Sequence, residues 1–124
     1  MSAYNWLEID EKCPACGQTA GFRFQTHVAS DHGGDATGAF FDNTYRIGQR
    51  MRWWPKSDSR FADWRSGGLK DTHLIPEDED LECCEAECPR CHSEIFFVVR
   101  IRDFVFCGVC TSGLASNWPD AFYK

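Results

Sequence analysis

The chain has 124 residues, enough for one domain with a modest core. Its formal net charge of −6 argues against general affinity for nucleic acid, which depends on neutralising phosphates. The longest apolar run, Ile95 to Val99, is far too short to cross a bilayer, so no membrane partner is expected.

The start, Met1 to Trp6, has neither the basic region nor the apolar run of a signal peptide, and a cytoplasmic protein is expected. In that setting eight cysteines read as metal ligands rather than disulfides. Tyr4 to Asp10 reads as a short strand leading into Cys13-Pro14-Ala15-Cys16-Gly17. Phe22 to Val28 then alternates cleanly. Phe22, Phe24, Thr26 and Val28 share one face, and Arg23, Gln25 and His27 the other, as in a half-buried strand.

Ser30 to Gly38 reads as a flexible loop, and Asp42-Asn43 as a turn. Thr44 to Trp54 alternates again, with Tyr45, Ile47, Met51 and Trp53 on one face and Arg46, Arg50 and Arg52 on the other. Gly48 interrupts it as a candidate bulge. Lys56 to Gly68 is irregular or weakly helical, with Phe61 and Trp64 spaced to pack together. Residues 71–87 form an acidic connector with eight acidic side chains and no lysine or arginine, opening at Pro76. It leads into Cys88-Pro89-Arg90-Cys91-His92. Glu94 to Arg102 and Val105 onward read as a hairpin turning at Asp103-Phe104, and Trp118-Pro119 is expected to pack back on the sheet. The expected fold is a single mainly β domain over residues 1–124, small and antiparallel, with paired zinc knuckles and little helix.

The two C-P-x-C segments carry the chemistry. The two-residue spacing lets both sulfurs of one turn reach the same ion. Proline after the first cysteine fixes φ, and Gly17 can take the positive φ that closes the turn. Two such turns make a closed tetrahedral site from Cys13, Cys16, Cys88 and Cys91, suited to structural Zn2+ and also able to take iron. The paired motifs resemble the zinc knuckles of the zinc-ribbon and rubredoxin-like group, over about ten residues. His92 stands where that group usually has glycine, and His tolerates positive φ better than most residues. Closing the 71-residue loop between Cys16 and Cys88 costs roughly 4 kcal/mol plus a constant, against roughly 10–16 kcal/mol from a structural zinc.

A local ribbon from Cys88, Cys91, Cys107 and Cys110 fits on spacing alone. A turn at Asp103-Phe104 disfavours it, because Cys107 then returns opposite about Arg100, far from Cys91. A turn near Val99 would rescue it, against the preference of β-branched residues. Cys83, Cys84, Cys107 and Cys110 remain as thiols or as a candidate second metal site.

No H-E-x-x-H, G-x-S-x-G or phosphate-binding glycine loop is present, and a four-thiolate site leaves no open position for substrate, so no enzyme activity is expected. His32 and Asp35 are candidate substrate contacts on a loop that reads more simply as solvated. The basic, aromatic stretch Arg46, Arg50, Arg52, Trp53, Trp54 and Lys56 invites a nucleic-acid reading, but its alternation is ordinary strand patterning. The charge balance fits a basic protein partner better, with Glu77, Asp78, Glu79, Asp80 and Glu82 as the docking residues. In size, acidity and lack of catalytic motifs the chain resembles small bacterial immunity or antitoxin proteins, which implies a toxin as the partner. The alternatives are a nucleic-acid-associated zinc ribbon and a rubredoxin-like electron carrier.

Overall fold

The computed structural model describes residues 4–30, 33–66 and 79–122. Two hairpins dominate it. Strand β1 (Asn5–Lys12) turns through the first C-P-x-C segment into β2 (Thr19–Thr26), pairing antiparallel from Asn5 opposite Thr26 to Lys12 opposite Thr19. After the two-residue strands β3 (Gly34–Asp35) and β4 (Gly38–Ala39), β5 (Thr44–Arg46) lies parallel to β1. Helix α1 (Ser59–Arg65) follows. The second hairpin joins β6 (Glu79–Glu87) to β7 (Glu94–Arg102) through the second C-P-x-C segment, and β8 (Val105–Leu114) completes a sheet ordered β6-β7-β8. A 3-10 turn, Ala115–Asn117, closes the described fold. The fold is mainly β with little helix, as the alternation predicts, and among the described strands the short β1–β5 pair is the one that runs parallel.

The core lies between the two three-stranded sheets. The predicted inward residues Phe22, Phe24, Thr26 and Val28 are all buried, and Ala20 joins them at the start of β2, where buried and exposed residues alternate. Phe22 and Phe24 meet Phe97 of β7 at ring distances of 4.9 and 5.5 Å, which fastens one sheet to the other. Each such fully buried phenylalanine stabilises the fold by roughly 1.5–3 kcal/mol. Strand β7 is buried on both faces from Ile95 to Val99. Ile95, Phe97 and Val99 join the main core, while Phe96 faces the other way and meets Trp118, so the tail packs back as expected. The β7–β8 turn falls at Asp103-Phe104, both at positive φ (49° and 64°).

Two expectations need correction. Thr44 to Trp54 is not one strand. β5 ends at Arg46, and Gly48, at φ +91°, turns the chain out of the first sheet. Residues 48–51 then run beside the start of β8, with Gly48 N donating to Phe106 O (2.7 Å) and Met51 N to Phe104 O (2.6 Å). Tyr45, Met51 and Trp53 are buried as expected, but Ile47 at this corner is 53% exposed. The acidic connector also ends earlier than 87. From Glu79 onward it is strand β6, because Leu81 to Glu87 pairs with Arg100 to Glu94. Glu77, Asp78, Pro76, His32 and Gly67-Gly68 lie outside the described residues. The Ser30–Gly38 loop carries the β3–β4 ladder, in which Gly34 comes so close to Gly38 that a Cβ would lie 2.5 Å from its carbonyl oxygen.

Candidate metal centre

Each hairpin turn builds half of the site in the same way. In the first, Cys13 N donates to Gln18 O (2.9 Å), Gly17 N to Cys13 O (2.8 Å) and Ala15 N to Cys13 Sγ (3.3 Å). In the second, Cys88 N donates to Ser93 O (2.9 Å), His92 N to Cys88 O (2.9 Å) and Arg90 N to Cys88 Sγ (3.4 Å). Gly17 (φ 75°) and His92 (φ 61°) take the same left-handed position, so histidine fills the place of glycine without changing the turn. In each turn a backbone N–H is thus aimed at the first sulfur.

The sulfurs of Cys13, Cys16, Cys88 and Cys91 lie within 4.8 Å of one another, and Cys13 Sγ is 3.8 Å from Cys91 Sγ. A tetrahedral zinc with bonds of about 2.3 Å sets its sulfurs about 3.8 Å apart, so the donor set fits such an ion. Iron fits the same four sulfurs. Cys13 and Cys88 are 1% and 0% exposed, whereas Cys16 and Cys91 sit nearer the surface. The Ser93 hydroxyl and N–H, with smaller help from the Cys88 and Cys13 thiols, hold the Cys91 thiol down to about 6. At Cys16 the Gln18 backbone contact pulls the thiol down, but burial and the three other cysteines together push it up to about 11. A divalent cation among these sulfurs would favour the thiolate form of all four.

The other four cysteines are held apart. Cys83 and Cys84 are successive residues of β6, opposite Val98 and Phe97. In β8, Cys110 is the extra residue between Val109 and Thr111, and Cys107 the extra residue between Phe106 and Gly108, each at a register shift. Strand β7 separates β6 from β8, which puts the two cysteine pairs roughly 10 Å apart at the usual strand spacing. Among the described residues they form no donor cluster. Burial, then Glu82 and Glu85, pushes Cys83 up to about 11, and burial pushes Cys84 well above the ordinary thiol range.

The candidate docking acids divide as well. Glu79 and Asp80 open β6. Glu82 turns back into the fold, where it accepts from Thr26 Oγ1 and, at 3.4 Å, from His27 N. Thr26 is itself buried and accepts from Val28 N (3.1 Å). Reading Glu82 only as a surface charge misses this link, and nothing in the local pattern of β6 announces it. Arg90 was also overlooked: its Nε donates to Thr19 O (2.9 Å), tying the second turn to the first hairpin. Its position between the two cysteines is the one signal that could have found it.

Arg46 and Arg50 find partners outside the acidic stretch. Arg46 reaches Asp10 (3.0 Å) and Glu8 (3.7 Å). Arg50 reaches Asp103 (3.8 Å) and lies over Phe104 (5.4 Å).

Fold and site together define a small β domain whose two hairpins are joined at their turns by a four-cysteine cluster. No protein-family model, curated protein or solved structure matches the chain. Among the described residues no helix is long and apolar enough to cross a membrane.

Proposed function

We propose that the protein is a non-enzymatic, cytoplasmic, zinc-stabilised module that binds a basic protein partner, most specifically as an acidic inhibitor of the immunity or antitoxin kind. The observation that carries this reading is the four-sulfur cluster at the hairpin turns. Four thiolates fill the coordination sphere of zinc, so the ion serves the fold and leaves binding to the surface. Residues 71–87 then supply the charge. Two internal candidates to neutralise it, Arg46 and Arg50, are engaged by Glu8, Asp10 and Asp103, while Arg102 stands opposite Glu79 and Arg100 opposite Leu81 in the β6–β7 register. Eight acids in residues 71–87 exceed what these two arginines of β7 can neutralise, which favours an external cation, for which acidic patches raise the association rate and make it salt-dependent.

The test is co-purification of the native protein from its host, followed by association kinetics with whatever basic protein is captured. Glu77, Asp78, Glu79 and Asp80 are changed together to Gln or Asn, and Glu82 is left in place because it bonds Thr26 and His27. The variant should associate more slowly and with a flatter salt dependence, at unchanged thermal stability. A variant that instead acquires DNA or RNA affinity at physiological salt would replace this reading with the nucleic-acid one. A native preparation that is coloured and carries stoichiometric iron would replace it with electron transfer.

A further inference from the structure

The four clustered cysteines divide by depth as well as by hairpin. Cys13 and Cys88, the first of each turn, are buried. Cys16 and Cys91 are half-buried beneath Pro14, Ala15, Pro89, Arg90 and His92, which are themselves exposed. A small solute therefore reaches the cluster at its second cysteines. The 3.8 Å sulfur contact joins one of these, Cys91, to Cys13 in the other hairpin. The hairpins also hold each other without the ion, through Phe22 and Phe24 on Phe97 and through Arg90 on Thr19 O.

We propose that the cluster is a peroxide-sensitive switch, in which Cys91 and Cys13 form a disulfide across the two hairpins. The Cys91 thiolate attacks hydrogen peroxide and breaks its O–O bond, giving a sulfenic acid and hydroxide. The Cys13 thiolate then attacks the Cys91 sulfur and displaces a second hydroxide. The peroxide gains two electrons, and each sulfur loses one. Closing the contact from 3.8 Å to a bond of about 2.05 Å needs an approach of roughly 1.8 Å, within the reach of side-chain rotation. The bond withdraws two of the four ligands, so the metal is given up. It also takes over the metal's task, because it joins residues 78 positions apart. A bond within one C-P-x-C turn would close a far shorter loop and constrain the unfolded chain much less. Transient disulfides of this kind are compatible with a reducing compartment. Cys107 and Cys110 are more exposed but lie on β8, so their oxidation leaves the cluster intact.

This inference rests on the zinc reading of the cluster and is independent of the partner. The zinc-loaded full chain is treated with hydrogen peroxide while a chromogenic chelator follows released zinc. Each chain should release its zinc, and peptide mapping without reduction should join the Cys13 segment to the Cys91 segment. Far-UV circular dichroism should stay that of a β fold, and dithiothreitol with added zinc should restore the starting form. The double variant Cys107→Ser with Cys110→Ser lacks the exposed competing thiols. It should release zinc at the wild-type rate and consume about one peroxide per zinc. Disulfides confined to Cys13–Cys16 or Cys88–Cys91, unfolding on release, or slower release by the double variant would each overturn the proposal. So would zinc retained while Cys107 and Cys110 oxidise. Zinc-loaded protein that resists peroxide defeats this inference alone, whereas native protein carrying iron in place of zinc defeats the proposed function.

Discussion

Cys88-x-x-Cys91 and Cys107-x-x-Cys110 share a spacing and have opposite fates. In the first, the backbone folds into a turn in which an N–H points at the leading sulfur and a left-handed residue follows the second cysteine. Both sulfurs then face the same point, and the equivalent turn at Cys13 meets them there. In the second pair, the backbone continues as strand β8 and each cysteine is displaced outward at a bulge. Both are exposed, and Cys107 Sγ donates to the carbonyl of Val105 at 3.4 Å. Two-residue spacing permits a shared metal. Turn geometry and a second turn in the right place create it.

The largest effect should separate these pairs outright. Cys88→Ser removes a ligand from a site whose metal contributes on the order of 10–16 kcal/mol, comparable to the whole stability of a typical domain. Circular dichroism should show an unfolded chain. Cys107→Ser, at an exposed bulge, should change stability by less than about 0.5 kcal/mol and leave the metal bound. If Cys107→Ser released the metal while Cys13→Ser kept it, the comparison would be inverted.

The next effect concerns reactivity. Cys83, pushed up to about 11 by burial and by Glu82 and Glu85, carries on the order of a hundredfold less thiolate at neutral pH than an ordinary thiol. Mass mapping after brief alkylation of the metal-loaded protein should find Cys107 and Cys110 modified first and Cys83 far behind. Equal rates would show that β6 is not packed as described.

A smaller effect sharpens the likeness of the two metal turns. Gly17→Ala places a Cβ at φ 75° and should cost about 1–2 kcal/mol. His92→Gly relieves the same kind of strain at φ 61° and should be neutral or stabilising by up to about 1 kcal/mol. Chemical denaturation of the metal-loaded forms measures both. A destabilising His92→Gly would show that the imidazole makes a contribution beyond filling the turn.

Much of this arrangement was readable in advance, for local reasons. The alternation of Phe22 to Val28 and the C-P-x-C turns are properties of neighbouring residues, and so is the hairpin turn at Asp103-Phe104. The pairing of Cys13 with Cys88 across the chain followed from that turn, since it places Cys107 away from Cys91. What was misread depends on distant contacts. The pattern of Tyr45 to Trp53 looks continuous because the segment leaves one sheet and joins the edge of the other, keeping inward faces in both. The acidic stretch looks like a connector because its charges hide the period of Cys84, Ala86 and Cys88, which are buried on one face. Glu82 acquires its role only when β2 comes beside β6.

The central claim is that one ion, held by Cys13, Cys16, Cys88 and Cys91, joins the two hairpin turns. Heteronuclear NMR of the cadmium-substituted protein tests it most directly, because couplings from the metal reach the β protons of the cysteines that bind it. The account predicts a single cadmium resonance coupled to those four residues and to no others. A resonance coupled to Cys107 and Cys110, or a second cadmium reporting on Cys83 or Cys84, would contradict it.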